Sequence, residues 1–144
     1  MKTEDYYESK LYMGSETFFD DEQFSQEEVE LFIGVIQDDY HVTIPVRVTP
    51  VTFVSGSDYK ESGWEIAAIN YPKVKATPSV IDKFMKDLAE KLLNRFNQYT
   101  ICVMDSEFVT MFKGTKRKTG AISADTRSAG FYFADQWWLG NNYG

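Results

Sequence analysis

The sequence predicts an α+β domain: two layers, with a mostly antiparallel sheet of four to five strands and two helices packed on one of its faces. Three observations lead there. Apolar residues recur at helical spacing in two stretches, 25–40 and 78–97. Strand-like runs follow each stretch in consecutive pairs. The strands do not alternate one by one with helices, which disfavours a parallel doubly wound sheet.

In the first helix, Ser25 and Glu28 have the spacing of a capping box, and Phe24 and Val29 that of a hydrophobic staple. Val29, Phe32, Ile33, Ile36 and Tyr40 make one apolar stripe. Residues 42–54 alternate as a strand, with Val42, Ile44, Val46 and Val48 on one side. Pro45 and Pro50 cannot donate to a ladder, so this strand belongs at an edge or carries a bulge. A polar loop, 55–63, leads to the returning strand 64–71. The second helix starts at Thr77 or Ser79 with Pro78 in its first turn. Its buried stripe is Ile81, Phe84, Met85, Leu88, Leu92 and Phe96, with Asp82–Lys86 and Asp87–Lys91 paired on the wet side. Residues 99–105 and 107–113 form a tight hairpin turning at Asp105 and Ser106. Cys102 lies inside its first strand as a small buried hydrophobe. Residues 114–130 read as loop, and 131–134 as a last strand.

Residues 1–24 show no clean period, interleave acids with aromatics, and read as an N-terminal extension to a single domain spanning 25–144. Charge is the most uneven property of the chain. Twelve acids face two lysines within residues 1–40, a net of −10, whereas the remainder carries +3. Such asymmetry points to an interaction surface and repels nucleic-acid phosphate from the first third. The 144-residue chain has one cysteine, no apolar run long enough for a membrane helix and a polar start, all of which fit a cytoplasmic protein.

The sequence contains no strong catalytic motif. One histidine and one cysteine exclude the usual zinc sites. No phosphate-binding glycine loop and no Gly-x-Ser-x-Gly turn is present. Asp58-Tyr59-Lys60 has the Asp-x-Lys spacing of metal-dependent nucleases, with His41 as a conceivable base, but Glu8-Ser9-Lys10 repeats that spacing at no cost. The reading that follows is a non-enzymatic acidic binding protein with no cofactor and no metal. Asp20, Asp21, Glu22, Glu27, Glu28, Glu30, Asp38 and Asp39, with Trp137 and Trp138 as aromatic anchors, would meet a basic protein surface such as that of a nucleic-acid-processing enzyme. In size and charge alone the chain resembles small DNA-mimicking inhibitors of phages and mobile elements. The alternatives are a self-associating assembly subunit, such as a small virion component, and, more distantly, a metal-dependent nuclease.

Overall fold

A computed structural model describes residues 6–15, 23–71, 74, 76–114 and 123–128. The elements run β1 (Glu8–Gly14), α1 (Gln26–Asp38), β2 (Arg47–Val54), β3 (Lys60–Ile69), α2 (Pro78–Arg95), β4 (Thr100–Met104), β5 (Phe108–Lys113) and β6 (Ser123–Ser128). The fold is α+β, with both helices on one face of an antiparallel sheet. The sheet has six strands in the order β2-β3-β1-β4-β5-β6, one more than expected, and every described pair is antiparallel.

Both helices start as their caps dictate. Ser25 Oγ accepts the Glu28 N–H at 3.2 Å, and Thr77 Oγ1 accepts the Val80 N–H at 3.4 Å. Val29, Ile33 and Ile36 of α1, and Ile81, Phe84, Met85, Leu88 and Leu92 of α2, are buried against the sheet. Phe24 packs beside the Trp64 and Phe96 rings, with centroids 5.5 and 4.4 Å away. At the end of α2, Asn97 takes a left-handed φ of 49°, and the Gln98 N–H returns to the Leu93 carbonyl at 3.0 Å, which closes a Schellman turn. The Gln98 side chain then accepts the Gly14 N–H at 3.2 Å, tying the helix end to β1. The Asp82–Lys86 pair forms at 3.0 Å, but Asp87 pairs with Lys83 at 3.1 Å and accepts a short hydrogen bond from Tyr40.

The largest departure from expectation is β1. It comes from the stretch read as an extension, yet it lies between β3 and β4 and pairs with both. Its alternation is strict: Ser9, Leu11 and Met13 point to the helices and are buried, while Glu8, Lys10 and Tyr12 point the other way. The polar residues among 1–23 hid a period of two that covers only seven residues. β6 lies within the segment read as loop, and the strand read at 131–134 falls outside the described residues. β2 starts at Arg47 rather than at Val42, leaving Pro45 outside the strand, and forms the sheet edge, where Pro50 is tolerated. Among the described residues, no helix is long and apolar enough to cross a membrane.

Candidate functional site

Opposite the helices, register brings one polar row together. Lys10 lies between Ala67 of β3 and Met104 of β4, and Tyr12 between Glu65 and Cys102. In an antiparallel sheet, directly opposed residues share a face. The outward side chains of β1 and the β4–β5 turn therefore line a common groove of about 220 Å³, walled by Tyr6, Glu8, Lys10, Tyr12, Met104, Asp105 and Ser106.

An ion-pair chain crosses this face. Glu8 meets Lys10 Nζ at 3.2 Å and Arg47 Nη2 at 3.0 Å. Lys10 Nζ also lies 3.9 Å from Glu65 Oε1, and Glu65 Oε2 accepts the Tyr12 hydroxyl at 3.0 Å. Burial pushes the Glu8 carboxyl up, but hydrogen bonds from Arg47, Tyr6 and Lys10 outweigh it and hold the group below the usual carboxylate range. Burial and the Glu65 hydrogen bond raise the Tyr12 phenol. At neutral pH the groove thus presents an ionised Glu8 and a protonated Tyr12. Asp105 holds the turn, its Oδ1 accepting the Glu107 and Phe108 N–H groups at 2.8 Å each. Beside the groove, Cys102, Val109 and Met111 form a small apolar cluster with Tyr12 and Met104 packed on it. Burial pushes the Cys102 thiol up to about 12, so it stays protonated and a poor nucleophile.

Among the described residues, none of those chosen from sequence lines this groove. Glu27, Glu28, Glu30, Asp38 and Asp39 are exposed on α1 and its C-terminal cap. Asp20, Asp21, Glu22, Trp137 and Trp138 lie outside the described residues. Asp58 is exposed in the β2–β3 turn and His41 in the loop after α1. Among the described residues, no group of three or more His, Cys, Asp or Glu is placed to hold a metal ion.

No family model matches the chain, and its sequence matches no curated protein. Two solved structures share its architecture. A phage SAM lyase in its apo state superposes with a TM-score of 0.58 at 12% identity, over 88% of this chain and 91% of the other. A phage SAM lyase in complex with S-methyl-5'-thioadenosine superposes with a TM-score of 0.53 at 11% identity, over 88% and 92%. The fold matches that of phage SAM lyases.

That match overturns the reading as a non-enzymatic DNA-mimic inhibitor, and with it the assembly-subunit and nuclease alternatives, because the chain shares nearly its whole architecture with enzymes of a different kind. The charge argument failed at a specific place. It counted Glu8 among twelve acids set against only Lys2 and Lys10, whereas Glu8 is also paired across the sheet with Arg47, from beyond the first forty residues. The missed residues carried one signal, the alternation in Glu8-Ser9-Lys10-Leu11-Tyr12-Met13.

Proposed function

We propose that this protein is a lyase that binds S-adenosylmethionine in the helix-free groove and releases S-methyl-5'-thioadenosine. The carrying observation is the fold shared with phage SAM lyases, one of them holding that thioadenosine, across about nine-tenths of both chains. The groove is a shallow one for such a ligand. Its volume, 220 Å³, is below the roughly 300–1,000 Å³ of pockets that engulf a small molecule. A bound nucleoside would therefore keep part of its surface in solvent.

Converting the sulfonium to the thioadenosine breaks the bond between sulfur and the γ-carbon of the amino-acid arm. The electron pair stays on sulfur, which leaves as a neutral thioether. Without water, the arm either loses a β-proton to a base or closes when its own carboxylate attacks the γ-carbon. The groove favours closure. Glu8 is held ionised by two cations, which makes it a weak base, and an Asp105 oxygen is committed to the turn. In closure the carboxylate oxygen gains the carbon, sulfur keeps the pair, and the arm becomes a lactone with its ammonium intact. The protein's part is to hold the arm folded and to exclude water, with Lys10 supplying a donor beside Met104.

Incubating the purified protein with S-adenosylmethionine and following the thioadenosine by chromatography tests the proposal. Formation well above the spontaneous rate in buffer is expected; a rate equal to buffer alone overturns it.

A further inference from the structure

The groove carries a charge balance that a neutral nucleoside does not need. Three carboxylates, Glu8, Glu65 and Asp105, stand in or against it, opposed by Lys10 and Arg47. Arg47 has about half of its side chain in solvent, where screening weakens its field. Lys10 is held between two of the acids, at 3.2 Å from Glu8 and 3.9 Å from Glu65. Two tyrosines, Tyr6 and Tyr12, and the Met104 thioether complete the lining. Electron-rich rings beside carboxylates attract a desolvated cation.

Resting on the lyase reading, we infer that this groove ranks adenosyl ligands by the charge at the position of the sulfur, taking a cation there over a neutral thioether, and that Glu65 is the positioning residue behind that preference. Glu65 does not line the groove itself. It acts through Lys10, whose charge it offsets, and through Tyr12, whose hydroxyl proton it holds. With that proton committed, the phenol oxygen meets a ligand as an acceptor. The consequence for turnover is directional: the cationic substrate is held, and the neutral thioether formed from it is released.

Isothermal titration with two ligands that share the same nucleoside and amino-acid arm tests this. Sinefungin carries a protonated amine in place of the sulfonium, and S-adenosylhomocysteine carries the neutral thioether. Sinefungin is expected to bind at least about tenfold more tightly, the size of roughly one uncompensated charge at a partly solvated site. Glu65→Gln is expected to shrink the ratio to within about threefold, and Lys10→Met to widen it, since the two remove opposite charges. Melting curves confirm that both variants are folded. Equal affinities in the native protein, or a ratio that moves the same way in both variants, overturn the charge selection and leave the nucleoside reading standing. Binding of neither ligand overturns both.

Discussion

The Tyr12 hydroxyl donates to Glu65 across the β1–β3 pair at 3.0 Å, placing a buried-edge phenol and a carboxylate side by side on the face away from the helices. Removing the hydroxyl with Tyr12→Phe strands one Glu65 oxygen. The expected cost is about 1 kcal/mol of stability and a threefold to tenfold fall in kcat/KM for thioadenosine release, in line with one hydrogen bond. Denaturation and steady-state kinetics on the same preparation check it.

Alkaline pH should weaken the fold in a defined order. Burial pushes the Cys102 thiol up to about 12. Burial, followed by the charges of Asp82 and Asp105, pushes the Tyr7 phenol up to about 12. Each group keeps its proton longer when folded than when unfolded. Stability is therefore complete below the ordinary values, about 8.5 for a thiol and 10 for a phenol, and is lost as pH rises toward the folded values. Urea unfolding at pH 7, 9, 10 and 11 should show a decline from about pH 9, and Cys102→Ala should delay its onset to about pH 10. A curve that stays level through pH 11 contradicts this.

Ser9 Oγ is buried with no hydrogen-bond partner among the described residues, inside a strand face otherwise made of Leu11 and Met13. Ser9→Ala should leave stability unchanged or raise it by up to about 1 kcal/mol, because an unpaired hydroxyl costs more buried than in water. Leu11→Ala, one step along the same face, should cost about 2–5 kcal/mol. Midpoints of chemical denaturation compare the two directly.

Asn97 holds its left-handed φ of 49° to close the turn after α2. Asn97→Gly should be neutral or slightly stabilising, whereas Asn97→Val should cost about 1–2 kcal/mol. If Val is tolerated as well as Gly, the Schellman turn does not hold this junction.

Helices and hairpin were legible because their signals are local. The Ser25 and Thr77 caps, the apolar stripes of α1 and α2, and the turn at Asp105 and Ser106 each occupy a few adjacent residues. The groove was not legible, because Lys10, Glu65 and Met104 meet only through pairing across long stretches of chain. β1 itself was hidden by Glu8 and Lys10, which read as solvent-facing residues in a one-dimensional pattern but lie on the helix-free face of a central strand. The acidic excess misled for the same reason: charge summed along the sequence ignores the partners that folding supplies, such as Arg47 for Glu8.

The central claim is tested most directly by carbon NMR of S-adenosylmethionine labelled along its amino-acid arm, mixed with the protein. The account predicts that the label moves into the lactone as thioadenosine forms in equal amount, faster than in buffer alone. Label that leaves no faster than in buffer, or that collects in an unsaturated acid formed by loss of a β-proton, contradicts it.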